Sequence, residues 1–472
     1  MNKDVLILGG GPAGMASAFE LHKANKSFDL IEKNTKIGGL AKTFQYGEFR
    51  TDIGPHRFFS QNQYLYDLIE DLIGKRWIKV NRLTRFYINN KFYNYPIELK
   101  TALYNVGIYK AFRIISDYLY EKSKKIFIKK PPSSFEEQIV SDFGRTLAEL
   151  NMLNYTEKVW GLPCSQISND WSKQRIKGLS IRAIVKKIIL KSRSQPKTLV
   201  DQFYYPDTGT ALIYEKIKEK ISSGNKGAVK TKSSPVKINH SKDKITGVVV
   251  ESNGKKTTYK SKNIISSIPI TEVIALMQPK APGAVLKAAK KLKFRSHVFL
   301  FITLNKESVF PDQWLYFPDR EIPFGRIMEP KNFSKKLCPP KKTSMLIEFF
   351  CWENDNVWNM SKEGLFDLSI GPLEKAGFIK KKDVIDIYVH REKYAYVVYD
   401  LDYKKNLKKV KDYLKKFKNL QLIGRAGSFR YNNQDHALEM GILAARSILE
   451  NKKYDIDEVG SEGKYFERGY VK

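Results

Sequence analysis

The start of the chain places glycines and an acid where they could hold phosphate and ribose. Gly9, Gly11 and Gly14, in the run Gly9-Gly10-Gly11-Pro12-Ala13-Gly14, follow the apolar stretch Val5-Leu6-Ile7-Leu8. They precede a helical pattern through Met15, Ala18, Phe19 and Leu21. Glu32 closes a second apolar run, Phe28 to Ile31, 18 residues after Gly14. Strand, glycine turn, helix, strand and acid in that order predict a dinucleotide site. The glycines let the backbone approach a pyrophosphate, whose charge sits on the helix N-terminus, and the carboxylate accepts from ribose hydroxyls. A second pair, Gly38-Gly39 in I-G-G-L-A-K-T, follows at once. Taken alone it suits equally a chain passing under a flavin or its phosphates and a simple loop turn.

Four further segments carry residues able to bind an anionic, hydroxylated ligand. The first is Gly54-Pro55-His56-Arg57-Phe58-Phe59, with Asn81-Arg82-Leu83-Thr84-Arg85 and Asn89-Asn90-Lys91 after it. The second is Lys158-Val159-Trp160-Gly161-Leu162-Pro163, running through Trp171 to Gln174-Arg175. The third is Trp314-Leu315-Tyr316-Phe317-Pro318-Asp319 with Pro323-Phe324-Gly325-Arg326. The fourth is Gly424-Arg425, Arg430-Tyr431 and Asn433-Gln434-Asp435-His436. Guanidinium forks bind phosphate oxygens bidentately, and tyrosines add hydroxyl donors on rigid rings.

The N-terminal pattern resembles the opening of the flavin amine-oxidase-like superfamily, which includes protoporphyrinogen oxidases, phytoene desaturases and UDP-galactopyranose mutases. The four segments, in order along nearly the whole chain, resemble motifs of the UDP-galactopyranose mutases. One departure is Val397, which follows Tyr396 where that family commonly has proline. The resemblance implies an α/β chain. A discontinuous Rossmann-like FAD-binding domain of the glutathione-reductase type would accompany a helical subdomain and an antiparallel substrate-side sheet. It implies FAD, reduced for mutase activity, held by Gly9, Gly11, Gly14, Glu32, Gly38, Gly39, Gly424, Arg425, Gln434 and Asp435. It implies His56, Arg175 and Arg326 as catalytic residues, with His56 near the isoalloxazine and the two arginines on a pyrophosphate. Arg85, Trp160, Tyr316, Tyr396, Tyr431 and Asn433 would contact the substrate.

The implied activity is pyranose–furanose interconversion of a nucleotide-diphosphate sugar. In it, N5 of reduced FAD attacks the anomeric carbon with no net redox, and NAD(P)H or another reductant supplies the electrons that reduce the flavin. Two rivals share parts of the pattern. One is an FAD-dependent oxidoreductase of the protoporphyrinogen oxidase, desaturase or amine oxidase type. The other is a binding protein that uses no flavin.

Composition narrows the field from another side. The chain has 472 residues, 42% of them hydrophobic, enough for two or three domains with substantial cores. Its 83 Lys+Arg against 50 Asp+Glu give a net charge of +33. That charge is spread out. The densest run, Lys404 to Lys418, interleaves eight lysines with Leu407, Val410, Leu414 and Phe417 and reads as a surface helix. No nucleic-acid motif accompanies it, so nucleic acid is not expected as a partner, whereas phosphorylated ligands and acidic membrane surfaces are attracted. Cys164, Cys338 and Cys351 are odd in number and unpaired by spacing, which points to a reducing compartment. The N-terminus enters a strand without a signal-peptide pattern, so a cytoplasmic protein is expected, peripheral at most at the inner face of the membrane. Neither metal-ligand spacing nor a G-x-S-x-G elbow is present, which removes metallo- and serine-hydrolase mechanisms. The sequence carries no indication of oligomeric state.

The elements that must position these residues divide into three groups. Residues 1–77, 196–270 and 415–472 read as the cofactor domain. It is closed by the strand Leu420 to Ile423, the turn Gly424-Arg425-Ala426-Gly427 and a helix from about Ala437 to Glu450. Residues 100–195 are helical in period, with a break at Pro131-Pro132-Ser133-Ser134. Residues 78–99 and 271–414 carry alternating, β-branched and aromatic runs and read as the substrate-side sheet.

Overall fold

The computed structural model describes residues 2–95, 107–127, 131–175 and 202–460. Its first sheet is organised around strand β1 (Asn2–Leu8), in which Val5, Leu6, Ile7 and Leu8 are all buried. An unbroken apolar run of this kind suits a strand covered on both faces. β1 pairs in parallel with β2 (Phe28–Ile31) on one side and with the end of β12 (Lys255–Ser266) on the other. β9 (Gly227–Lys230) extends the sheet beyond β2, and β19 (Leu420–Leu422) extends it beyond β12. Chain from four distant stretches therefore builds one parallel sheet. The first half of β12 turns back antiparallel onto β11 (Lys244–Ser252), which pairs with β10 (Ser233–Ser241) and through it with β13 (Met277–Gln278). Asn253 and Gly254, linking β11 to β12, both have positive φ, the backbone a two-residue hairpin turn requires.

The N- and C-terminal parts of this unit are clasped by two helices, Pro12–Lys23 and Gln434–Leu449. A Cβ at Gly441 would lie 2.1 Å from the Ala13 carbonyl, so only glycine lets the two backbones approach this closely. The Ser17 hydroxyl donates across the same contact to the Gly441 carbonyl at 2.8 Å.

The second sheet has seven strands in the order β18 (Val384–Val397), β14 (Phe294–Leu304), β17 (Thr343–Cys351), β16 (Arg326–Met328), β15 (Trp314–Tyr316), β6 (Thr84–Ile88) and β7 (Lys91–Asn94). It is antiparallel except where β15 runs parallel to β6. One face packs Val298, Leu300, Ile302, Ile347 and Phe349 against the helix Lys362–Lys375. The other face packs Phe299, Phe301, Trp314, Met328 and Leu346 against Phe49, Ile53, Val80, Phe203 and Tyr205.

Packing draws the unit boundaries differently from sequence pattern alone. Strand β5 (Trp77–Asn81) pairs with β8 (Gln202–Pro206) and not with the seven-stranded sheet. Met277–Gln278 lies in the first sheet. The helix Tyr403–Leu414 buries Tyr403, Val410 and Leu414 in the same cluster as Leu6 and Leu8. Alternation identifies strands but not the sheet they join, and an apolar helical face does not name the surface it covers. In the helical region, Phe135, Ile139, Phe143, Trp160 and Trp171 share a core. Ser134 caps the helix Phe135–Phe143 by accepting from the Glu137 N–H at 3.2 Å. The rest of that region, residues 96–106, 128–130 and 176–201, lies outside the described residues.

Candidate active site

Two glycine turns stack to form the floor of a cavity. Gly14 lets the first helix sit directly on the turn: a Cβ there would be 1.9 Å from the Gly9 carbonyl. Gly39 is held against Gly11, where an added Cβ would meet the Gly11 Cα at 2.9 Å, and the Gly38 N–H donates to the Gly10 carbonyl at 2.8 Å. The helix Pro12–Lys23 starts with no side-chain cap and no acid in its first turn. Its leading N–H groups are thus left to an anion, helped by the helix dipole. Glu32, buried at the end of β2, accepts from the Gly10 N–H at 2.8 Å and from the Asn34 backbone and side chain at 2.8 and 2.9 Å. A carboxylate has about four acceptor positions, so capacity remains for a ribose.

These groups line a cavity of about 480 Å³ that continues past Leu40 and Lys42 to His56, Glu392, Gly424, Arg425, Asn433 and Gln434. The cavity's size, its bare helix N-terminus and its buried acid with acceptor capacity to spare fit a dinucleotide cofactor. Gly14 and Gly38 shape the cavity from behind. Asp435, also outside the lining, is buried in the first turn of the closing helix. There burial pushes its carboxyl up to about 7, while the first-turn backbone and Arg57 pull the other way. The Gln434 amide donates to the Tyr214 hydroxyl at 2.5 Å. Asn433 caps the same helix, which starts at Gln434, three residues earlier than the apolar pattern suggests.

The polar cleft beside this cavity comes from one face of the seven-stranded sheet. Directly paired residues share a face, so the pairings Phe86↔Tyr316, Tyr316↔Arg326 and Arg326↔Glu348 align those side chains. Nε of Arg326 donates to Glu348 Oε2 at 2.5 Å, and its Nη2 meets the same oxygen. The other carboxylate oxygen, Glu348 Oε1, lies 2.8 Å from Nδ1 of His297. Burial opposes both charges, yet the pair prevails: the Arg326 guanidinium is held above its usual range and the Glu348 carboxyl below. His297, buried beneath them, is pushed down by burial despite Glu348. Tyr316 packs on Tyr155 at 5.2 Å, and Tyr396 packs on Tyr431 at 5.3 Å. Burial raises the Tyr155 and Tyr396 hydroxyls above the ordinary tyrosine range, so both stay protonated donors at neutral pH. Trp160 and Trp171, 4.7 Å apart and edge-to-face, back Tyr396 and Tyr431.

Arg425 joins cavity and cleft. Its guanidinium lies 5.2 Å from the Tyr396 ring and 4.9 Å from the Tyr431 ring, donating to the carbonyls of Ala395 and Asn432. Among the described residues no carboxylate lies within ion-pair distance of it, so its charge is uncompensated where that of Arg326 is not. His56 lines the cavity with Nδ1 4.0 Å from Asp52 and no hydrogen-bond partner for that atom. Burial depresses its imidazole; Asp52 opposes this, and Arg425 and Arg326 add to it. Neutral imidazole is the form presented at neutral pH.

One expected residue does not join this group. Arg85 makes a bidentate pair with buried Asp312 at 2.9 and 2.6 Å and stacks on Phe92. It alternates with Phe86 along β6, so it points away from the Tyr316 face and is corrected to a structural role. Arg175 ends the helix Asp170–Arg175, and its side chain lies outside the described residues. Tyr155, Glu348 and His297 were not anticipated as site residues. A lone carboxylate in the apolar run Ser344 to Phe350 was the available signal for Glu348. Lys158, in the K-V-W motif, places its ammonium among the carbonyls of Phe317, Asp319, Ile322 and Phe324 at 2.5 to 3.3 Å.

Residues 7–72 match the NAD(P)-binding Rossmann-like domain family. The whole described architecture superimposes on a crystal structure of reduced UDP-galactopyranose mutase with a TM-score of 0.83, at 23% identity and with 96% of each chain covered. The chain has the UDP-galactopyranose mutase fold. Sequence likeness to that fold's curated members is partial. The chain is 26% identical over 175 residues to a "Probable UDP-galactopyranose mutase" of Klebsiella pneumoniae, covering 35% of this chain and 43% of that protein. It is 25% identical over 306 residues to the 1-hydroxycarotenoid 3,4-desaturase of Flavobacterium sp., covering 60% of this chain and 61% of that protein. The chain thus spans less than two thirds of the length of each of these curated relatives. In the mutase fold as this chain builds it, the glycine cavity belongs to the first sheet and the tyrosine–arginine face to the second.

Proposed function

We propose that the protein is an FAD-dependent nucleotide-sugar mutase interconverting pyranose and furanose rings. The observation carrying this reading is the polarity of the cleft. Tyr155, Tyr316, Tyr396 and Tyr431 surround two guanidinium groups beside the dinucleotide cavity, and one of those groups has no carboxylate partner among the described residues. A diphosphate ester needs such donors, whereas a polyene or porphyrinogen needs an apolar wall. A bound reduced flavin would supply a nucleophilic ring nitrogen for the anomeric carbon and be recovered unchanged, which is why no net oxidation results.

The chain's own residues do the rest. Arg425 and the free edge of Arg326 take the charge that develops on the departing diphosphate, in a site screened from water. Glu348 and His297 hold Arg326 in place. The tyrosine hydroxyls donate to phosphate oxygens, and the Trp160–Trp171 pair fixes the rings that carry two of them. Neutral His56 offers an acceptor at the cofactor edge. Asn433, the N-cap residue of the closing helix, lines the cavity wall and would orient a sugar or phosphate oxygen. The substrate class is a nucleoside diphosphate hexose, and a cellular reductant such as NAD(P)H would maintain the flavin.

The test is anaerobic incubation of the dithionite-reduced holoprotein with UDP-galactopyranose, with products separated by chromatography. Furanose product appearing without consumption of reductant is expected. Absence of product across several nucleotide sugars, together with oxygen uptake on a carotenoid or porphyrinogen substrate, would overturn the reading in favour of an oxidoreductase. The desaturase likeness over 306 residues is what keeps that second reading in play.

A further inference from the structure

The helix Ile108–Phe127 turns one apolar stripe inward and another outward. Ile114 is buried in the core of the helical region with Phe135 and Ile139. On the opposite side Ile108, Phe112, Ile115 and Leu119, at i, i+4, i+7 and i+11, form a continuous stripe with Tyr109 and Tyr120 along one edge. These six side chains are 50 to 91% exposed. Single exposed apolar residues are ordinary, but a contiguous stripe of this size marks an interaction surface.

The charges around the stripe identify what covers it. Arg113 and Lys124 flank the tyrosine edge and Lys122 the other edge. The helix's two acids are turned aside: Asp117 accepts from the Thr146 N–H and hydroxyl at 3.0 and 2.5 Å, and Glu121 is 4.0 Å from Lys124 and largely covered. The outward face is therefore apolar with basic margins, on a chain of net charge +33. A second copy laid on the stripe would bring these cations against their own equivalents, an arrangement that costs energy. The helix is too charged to cross a membrane, and no described helix is long and apolar enough to do so. Aromatic and aliphatic side chains on one face with Lys and Arg at its borders match a helix lying in a lipid interface.

We propose that the helix Ile108–Phe127 docks the protein on an anionic phospholipid bilayer, with the apolar stripe below the headgroups and Arg113, Lys122 and Lys124 on lipid phosphates. The proposal does not depend on the mutase reading. The test is co-sedimentation of the full-length holoprotein with vesicles of phosphatidylcholine plus phosphatidylglycerol, against phosphatidylcholine alone. Three basic side chains at the surface should favour the anionic vesicles by on the order of a hundredfold at low salt, falling as salt is raised. The double variant Phe112→Asp/Leu119→Asp, at exposed positions, should bind at least roughly tenfold more weakly with cofactor content and circular dichroism unchanged. Lys124→Glu should reduce the anionic preference alone. Three results would overturn the proposal: equal sedimentation of wild type and the double variant, no preference for anionic vesicles, or a lipid-free oligomer that the double variant dissociates.

Discussion

The cofactor cavity and the tyrosine–arginine cleft share a wall but are made of different material. The cavity is largely backbone. Its defining contacts are a bare helix N-terminus, two glycine turns in contact, and one acid tied to the Gly10 N–H. The cleft is side chain throughout, with Tyr155, Tyr316, Arg326, Glu348, Tyr396 and Tyr431 contributed by six separate elements or loops. A backbone site should tolerate loss of neighbouring side chains and fail when a methyl group is added. A side-chain site should do the reverse.

The largest test of that contrast is Glu348→Ala. Removing the carboxylate leaves Arg326 and His297 without their buried partner, and breaking such a pair costs about 3–5 kcal/mol. Denaturant unfolding should register that loss while cofactor content per folded protein stays at the wild-type level. A cofactor-free variant would mean that the two halves are not separable.

Asp435→Asn probes the cavity's rear wall through pH. The carboxyl titrates near 7 when folded against 3.8 otherwise, so the folded state binds its proton more tightly. Its stabilising contribution is complete below about pH 4 and is lost as pH rises through 7. His436, pushed down by burial to about 4 from 6.5, contributes in the opposite sense, gaining stability as pH rises from 4 to 6.5. The two oppose each other in wild type. Relative to wild type, Asp435→Asn should gain roughly 4 kcal/mol between pH 4 and 8, at ~1.4 kcal/mol per pKa unit. A pH-independent difference would show that Asp435 is ionised in the folded protein throughout.

Gly14→Ala should cost about 1–3 kcal/mol from overpacking and also reduce flavin retention, read from the ratio of flavin to protein absorbance. The added Cβ falls on the Gly9 carbonyl, which cannot move without opening the turn. Normal flavin content would show that the turn has slack. The smallest effect belongs to Tyr396→Phe. Loss of one hydroxyl donor should weaken nucleotide-sugar binding by ~1 kcal/mol in calorimetry and leave cofactor content unaltered.

The same contrast explains what could be read from the sequence. Gly9 to Glu32 is a local unit in which spacing alone dictates geometry, and strand, turn, helix and acid are found in that order. The Asn253-Gly254 turn is equally local, since an Asn-Gly pair supplies the positive φ a tight hairpin needs. Tyr155 and Glu348 were not, because nothing local distinguishes a tyrosine in a helix or a glutamate in a strand until cross-strand pairing sets it beside Arg326. Arg85 misleads for a related reason: one step along β6 reverses the face, and only Asp312, over two hundred residues away, determines where its fork points. The sheet membership of Trp77–Asn81 and Met277–Gln278 likewise depends on partners that periodicity does not name.

Lys158 shows how the two walls of the cleft are kept in register. Its ammonium reaches out from the helix Asn154–Trp160, which bears Tyr155, into a ring of carbonyls on the loop joining Tyr316 to Arg326. One cation thereby acts as a rivet between helix and loop, beside the more exposed pair of Glu157 on the helix with Arg320 on the loop at 2.6 Å. Neutralising that cation, by substitution or by acylation of its amine, would release both plates together, so a change outside the reaction chamber would be felt as a widening of its mouth.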